Sequence, residues 1–325
     1  MKKNLTSITI ILIIMAALTA CSGKPNQPQQ TEQPNQSNQE VEQSRQETDQ
    51  LPAEDRAGNK ITIPSKIDKI ISISPANTEI IVALGLGDKL VAVDKYSENI
   101  EGIPENIPFF DIMNPDAEQL VALEPDILFA TGMSMSDGSD PFKPVKDLCI
   151  TVAYIPASDS IDGIYKDIMF IADSLHADSK GQEIVDTMKS KIEEYRKTGS
   201  AITDKKTVYF EIADSPSLYS FGRGVFLNEM IELLGAENIL SDQEKWISIS
   251  EETVISANPD VILTNVNYID NPVDEIKNRT GWENVTAVKN NDVYYIDNNA
   301  SSLSNQNIVK ALEQMAAAIY PDIYK

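Results

Sequence analysis

The sequence predicts an α/β protein of two similar lobes, and three observations predict it. The first is an internal repeat. Glu118, Pro125 and Asp126 recur as Glu252, Pro259 and Asp260, each 134 positions on, in matching surroundings. Each copy reads as a short helix that ends before a proline, because the residue preceding proline disfavours the helical region. A strand-length run of mostly apolar residues follows, 127–130 in one copy and 261–264 in the other, as a buried parallel strand requires. A spacing this long is not that of a solenoid, whose repeats are short. The second observation is alternation of strand and helix on both sides of the chain's middle, the pattern of parallel sheets. The third is the middle itself, where 161–197 carries helical periodicity with no strand.

In chain order, Ala57-Gly58-Asn59-Lys60 reads as a turn before a strand at 61–63. Residues 70–73 are a buried strand. Ser74-Pro75 opens a helix carrying Ile80, Ile81 and Leu84, which Gly85 and Gly87 end. Residues 90–93 make a second strand, and 118–130 supply a helix and a third. A helix at 142–148 precedes a strand at 151–155. Two amphipathic helices follow, 161–175 and 178–197, the latter with Ile184, Met188, Ile192 and Tyr195 on one stripe. At about 1.5 Å per residue the second is long enough to bridge two lobes. Strand and helix then resume at 207–212 and 225–234, the repeated unit comes next, and a helix at 274–278, a strand at 293–296 and a helix at 306–318 close the chain.

The chain opens with Met1-Lys2-Lys3 and an apolar run, 8–18, too short to span a bilayer comfortably. Leu18-Thr19-Ala20-Cys21 resembles a bacterial lipobox, which implies cleavage of 1–20 and lipidation of Cys21. Each buried methylene adds roughly 0.8 kcal/mol, so two or three acyl chains anchor stably. Residues 22–53 are Gln, Asn, Glu, Pro and Ser with almost no large apolar side chain, the composition of a disordered spacer. The expected organisation is a signal peptide over 1–20 and lipidated cysteine with linker over 21–53. A first lobe then spans 54–158, a helical segment 159–200 and a second lobe 201–325. The body keeps a single cysteine, Cys149, which excludes an intrachain disulfide there; between Leu148 and Ile150 it reads as a small buried hydrophobe.

A net charge of −23 argues against nucleic acid as a partner, since phosphate contacts need lysine and arginine. The sequence has no G-x-S-x-G elbow, phosphate loop or H-E-x-x-H, and no cysteine with a nearby histidine, so an enzyme reading finds no support. Its one histidine, His176, lies between the two middle helices and is expected in solvent, which disfavours a cleft that ligates bare zinc or manganese.

Several spaced motifs carry a resemblance. Ser74-Pro-Ala-Asn-Thr-Glu79, Leu84-Gly-Leu-Gly-Asp-Lys-Leu-Val91, Met113-Asn-Pro-Asp-Ala-Glu118, Leu234-Gly-Ala-Glu-Asn-Ile239 and Ala287-Val-Lys-Asn290 stand in that order with the two Pro-Asp units. From about Asp55 to its end the chain resembles the solute-binding lipoproteins of ATP-driven importers for iron–siderophore complexes, haem and vitamin B12. The resemblance implies two Rossmann-like lobes joined by a long rigid helix, which 178–197 fits, with the ligand cleft between them. It implies a monomer on the extracytoplasmic face of the membrane, working with a permease and its cytoplasmic ATPase. The cargo it implies is an iron chelate, haem or a corrinoid, with no resident cofactor. A lipoprotein that signals or adheres without transport is the remaining class, which adjacent permease and ATPase genes would separate from transport.

The family's paired glutamates, which meet arginines of the permease, match Glu118 and Glu252; Glu251 stands beside the second. Taken singly, each is also a carboxylate in a helix's first turn, where the macrodipole contributes roughly 0.3–1 kcal/mol. Ligand loops follow the carboxyl ends of the strands: 74–77 with Asn77, Tyr96, 109–113, 131–136 with Met133 and Met135, 217–223, 265–268 and 298–302. Trp246 and Tyr219 match cleft aromatics of corrinoid-binding members, and their alternative is ordinary core. Met113 stands where haem-binding relatives place a thioether donor. The histidine those relatives add from the opposite lobe is absent from Asn265-Val-Asn-Tyr268, which leaves Tyr268 as a phenolate or Met113 as a packing residue. Arg223, in Ser220-Phe-Gly-Arg-Gly224, would suit a carboxylate-bearing ligand; otherwise it is a surface arginine.

Overall fold

The computed structural model describes residues 51–135 and 140–324. The expected signal peptide, Cys21, the expected linker as far as residue 50, and Ser136 lie outside the described residues.

Strand β1 (Ile70–Ser72) leads through Ser74 and Pro75 into α1 (Pro75–Ala83), then β2 (Leu90–Asp94), β3 (Phe109–Phe110), α2 (Ala117–Ala122), β4 (Ile127–Ala130), α3 (Lys143–Asp147) and β5 (Thr151–Tyr154). All pair in parallel, in the order β3-β2-β1-β4-β5. This doubly wound order reverses at β1. Two helices follow, α4 (Ile161–Ser174) and α5 (Asp178–Gly199).

The second lobe holds β6 (Thr207–Glu211), β7 (Tyr219–Phe221), α6 (Phe226–Leu233), β8 (Glu237–Asn238), β9 (Trp246–Ser248), α7 (Glu251–Ala257), β10 (Val261–Thr264), α8 (Pro272–Asn278), α9 (Thr286–Asn290), β11 (Val293–Tyr295), α10 (Asn298–Ser302) and α11 (Ile308–Ile319). Its parallel sheet runs β11-β10-β6-β8, while β7 and β9 form a separate antiparallel ribbon. The first strand of each lobe is therefore flanked on one side by the strand of the repeated unit, β4 beside β1 and β10 beside β6. Every residue of β4 and β10 is buried, as central parallel strands demand.

The repeat has a structural cause. Asp126 Oδ2 accepts from the backbone N–H groups of Asp68 and Lys69, at 2.7 and 2.9 Å. Asp260 Oδ2 accepts from the Thr207 N–H and from its hydroxyl, each at 2.8 Å. Each aspartate thus pins the start of its lobe's first strand to the start of the neighbouring one.

Helix α5 joins the lobes by close contact at both ends. A Cβ on Gly181 would stand 2.4 Å from that of Ala172 on α4, and one on Gly199 would stand 2.2 Å from the carbonyl oxygen of Leu233. Both distances are below contact, so only glycine lets the helix lie this near its neighbours. Between them Val185, Met188 and Ile192 are buried in one apolar core that runs from Ile70 and Phe129 to Phe210 and Leu312. Separate clusters fill the outer layer of each lobe. A second tie crosses from α1 to the segment before α11. Asn305 and Asn307 donate to Glu79 Oε2 at 2.5 and 2.8 Å, and Gln306 donates to the Glu79 carbonyl at 3.2 Å.

Two expectations are corrected. Residues 61–63 are not a strand: the Ile61 N–H reaches the Ala53 carbonyl and a bridge joins Glu54 to Lys60, but no ladder continues. Asp55 organises that turn instead, accepting from the N–H groups of Ala57, Asn59 and Tyr154. Cys149 is exposed, because it occupies the left-handed position just past α3, at φ +61°, and this turns its side chain outward. The short strands β3, β7, β8 and β9 were not foreseen, since two or three residues carry no readable alternation. His176 is exposed, as expected, and its Nε2 lies 3.0 Å from the Pro64 carbonyl.

Candidate ligand cleft and docking face

Among the described residues, eleven large apolar side chains are exposed, and seven of them stand at the carboxyl ends of the strands or on the β7–β9 ribbon. In the first lobe these are Tyr96, Phe109, Met113 and Met133; in the second, Trp246, Tyr268 and Tyr295. Water-facing apolar groups at the strand ends of both lobes make this the candidate ligand surface.

The loops that carry them are built by short acceptors. Asp94 ends β2 and accepts from the Tyr96 N–H at 2.8 Å and from Ser97 Oγ at 2.5 Å. This holds Tyr96 at a tip where it is 77% exposed. Burial pushes the Asp94 carboxyl above the ordinary aspartate value, against the hydrogen bonds it accepts. Asp111 accepts from the Met113 N–H at 2.9 Å and pairs with Lys95 at 3.0 Å, and Lys95 first among its partners lowers its pKa. Met113 and Met133 are 51% and 60% exposed. Asn77 differs: it is buried in the first turn of α1, and its Nδ2 has no partner among the described residues.

In the second lobe the ribbon sets the aromatic pair. Register places Phe221 opposite Trp246 and Tyr219 opposite Ser248, and alternation puts all four on one side. Phe221 is buried and meets the Trp246 ring edge-on at 5.8 Å, while Trp246 keeps 36% exposure. Trp246 is thus half core and half rim, a platform whose back is packed. Arg223 follows on the same segment, exposed, with no ion pair among the described residues, its backbone bonded to Gln243 and Lys245.

Tyr268 is engaged. Its hydroxyl donates to Asp214 Oδ1 at 2.7 Å and accepts from the Asp214 N–H at 3.1 Å. Burial, and after it this carboxylate, push its pKa above the ordinary tyrosine value, so the structure opposes a phenolate at this position.

Glu118 and Glu252 occupy equivalent first turns. Asp116 caps α2, accepting from the N–H groups of Glu118 and Gln119, both at 3.1 Å, and Ser250 caps α7, accepting from the Thr253 N–H at 3.3 Å. Both glutamates are exposed, and the Glu252 carboxyl is held below its ordinary value by its own backbone N–H and the Ser250 hydroxyl. Glu251 is not equivalent to Glu252, because Ser215 Oγ donates to it at 2.6 Å.

Sequence reasoning did not single out Phe109 or Tyr295, 40% and 46% exposed. Phe109 lay inside a named loop, and Tyr295 ends a three-residue strand in which it follows the parity of buried Val293, so no signal in the sequence marks its exposure. A cavity of about 270 Å³ lies between the lobes, lined by Glu79, Val82, Asn99, Asn299, Gln306 and Asn307. A larger one, about 430 Å³, opens away from the strand ends, beside Arg196, Ser200 and Glu229.

Two α/β lobes bridged by a helix, with exposed apolar side chains at their strand ends, are the architecture of a two-lobed binding protein. The chain belongs to the periplasmic binding protein family, whose pattern residues 70–300 match. It is 32% identical over 290 residues to the uncharacterized ABC transporter substrate-binding lipoprotein YvrC of Bacillus subtilis, covering 87% of this chain and 90% of that one. It is also similar to the vitamin B12-binding protein of Yersinia pestis, at 28% identity over 62% of this chain and 71% of that one. The crystal structure of a possible iron-binding, periplasmic solute-binding protein of Staphylococcus epidermidis superposes with a TM-score of 0.70 at 28% identity, over 79% of this chain and all of the other. The protein is an ABC transporter substrate-binding protein and not an enzyme.

Proposed function

We propose that this chain is the lipid-anchored substrate-binding subunit of an importer, held outside the cytoplasmic membrane through Cys21. It captures an iron complex, a ferric siderophore or haem, and delivers it to the permease that its partner ATPase drives. The carrying observation is the concentration of exposed Tyr96, Phe109, Met113, Met133, Trp246 and Tyr268 at the strand ends. Aromatic and thioether surfaces edged by carboxamides and Arg223 suit a large, partly apolar chelate. The iron-binding description of the Staphylococcus epidermidis relative supports that cargo. Glu118 and Glu252, in matched first turns, are the permease contacts in this reading. No helix among the described residues is long and apolar enough to cross a membrane; in this reading acyl chains on Cys21 supply the anchor.

Cobalamin is the second reading. Trp246 and Tyr219 share one side of the ribbon, as a corrinoid platform would need, and the Yersinia pestis relative is described as binding vitamin B12. An absorbance spectrum and elemental analysis of protein purified from its natural host separate the two. Iron with a haem or ferric-chelate spectrum supports the first reading, and cobalt with corrinoid bands supports the second. Protein that carries neither metal, and that binds none of haemin, ferrichrome or cyanocobalamin in titration, would remove both.

A further inference from the structure

The loop between β6 and β7 bonds to both surfaces described above. At its start, the Ile212 N–H donates to the Tyr219 carbonyl at 2.9 Å, which closes the loop on the ribbon. Asp214 exchanges two hydrogen bonds with the Tyr268 hydroxyl, at 2.7 and 3.1 Å. The next residue, Ser215, donates to Glu251 Oε1 at 2.6 Å. The Ile249 N–H then donates to the Leu218 carbonyl at 3.1 Å, tying the loop to the entry of α7.

We infer that the Asp214–Ser215 turn is a positioning element that couples the cleft residue Tyr268 to the first turn of α7, and so to Glu252. This rests on the proposed roles of those two residues. Consecutive Cα atoms are about 3.8 Å apart, so a displacement of Asp214 is passed to Ser215 without slack. A ligand that accepts the Tyr268 hydroxyl proton must displace Asp214 Oδ1, because the hydroxyl has one proton to donate and now donates it there. Ser215 then shifts against Glu251, whose carboxylate lies in the turn that presents Glu252. A hollow of about 670 Å³, lined in part by Ser215, Glu251, Asp274 and Arg279, flanks this bond and leaves the turn room to move. In the first lobe, α2 is capped by Asp116 alone, with no such tie to a cleft residue among the described residues. Among the described residues the tie therefore belongs to the second lobe, on the side of Glu252.

Hydrogen exchange on the unliganded full chain tests this without knowledge of the cargo. In Tyr268→Phe, exchange should speed about threefold or more at residues 214, 215 and 217 and at 253–256, the scale of one net hydrogen bond lost. Residues 117–122 should be unchanged. In a Ser215→Ala background, Tyr268→Phe should still act on the amides of residues 214, 215 and 217 but no longer on 253–256, which is the coupling read as a double-mutant cycle. Exchange at 253–256 that ignores Tyr268→Phe, or that responds equally with and without Ser215, overturns the inference. An importer reading that fails in uptake assays leaves these exchange patterns where they are, so the two failures are distinguishable.

Discussion

Asp260 accepts both the backbone N–H and the hydroxyl of Thr207, each at 2.8 Å, and the Asp260 N–H returns a bond to the Thr207 carbonyl at 3.0 Å. In the first lobe Asp126 does the same for Lys69, accepting its N–H at 2.9 Å and donating to its carbonyl at 3.0 Å. The repeated Pro-Asp unit is thus a strand-start clamp used twice. Asp260→Ala should destabilise the fold by about 1–3 kcal/mol, since it strands partly buried donors. Asp126→Ala should act in the same range. Denaturant unfolding checks both, and a loss below about 0.5 kcal/mol at either site would deny the clamp its role.

The anchor and the cleft are separate devices in the proposed organisation. Cys21→Ser should release the protein from washed membranes while the body keeps its ligand affinity. Fractionation of cells expressing the variant is the check, and retention of the unlipidated chain counts against the anchor.

The ribbon offers a sharper test of the cleft. Trp246→Ala combined with Tyr219→Ala should weaken binding of the physiological chelate by roughly 2 kcal/mol or more if both rings pack against it. Trp246 packs on Phe221, so circular dichroism and melting must accompany the titration. Unchanged affinity in a folded double variant moves the site elsewhere.

For docking, Glu118→Ala with Glu252→Ala should abolish uptake and leave ligand affinity in solution nearly unchanged. Arginine at either position should be worse than alanine, because it sets like charges together at a partly desolvated contact, and high salt should weaken the wild-type complex. Normal transport by the double variant, with only the loss of about 1–2 kcal/mol of stability that two helix-start carboxylates supply, would sink the docking role.

Acid stability probes the Tyr96 loop. Burial raises the folded pKa of Asp94 above its unfolded value, so the folded state binds more protons between those two values. The contribution of Asp94 to stability is full below its unfolded pKa, near the ordinary aspartate value, and is lost as pH rises through the folded one. Asp94→Asn removes this term and can keep the acceptor for the Tyr96 N–H. Its melting temperature should therefore fall less than that of wild type between pH 4 and pH 7, a comparison calorimetry makes directly.

The sequence alone determined the two-lobe α/β architecture and most of its long elements. Periodicity and proline punctuation are local, so the strand at 127–130, its copy at 261–264 and the helices at 161–174 and 178–199 were readable within one or two residues. It also pointed to Glu118 and Glu252 as a pair, because a repeat is visible in a string. Tertiary structure decided what depends on partners remote in the chain. The ribbon of 219–221 with 246–248 is too short to show alternation, and only its pairing reveals that Trp246 backs onto Phe221. Asn77, named for the cleft, lies buried because α1 turns it inward, and Cys149 is exposed because a left-handed residue past α3 reverses its direction. The Tyr268–Asp214 and Ser215–Glu251 bonds join residues 54 and 36 positions apart. No spacing rule specifies such pairs; they exist because β6 and β10 of one sheet deliver Asp214 and Tyr268 to the same place, and the ribbon strand β9 leads Glu251 to Ser215 beside them.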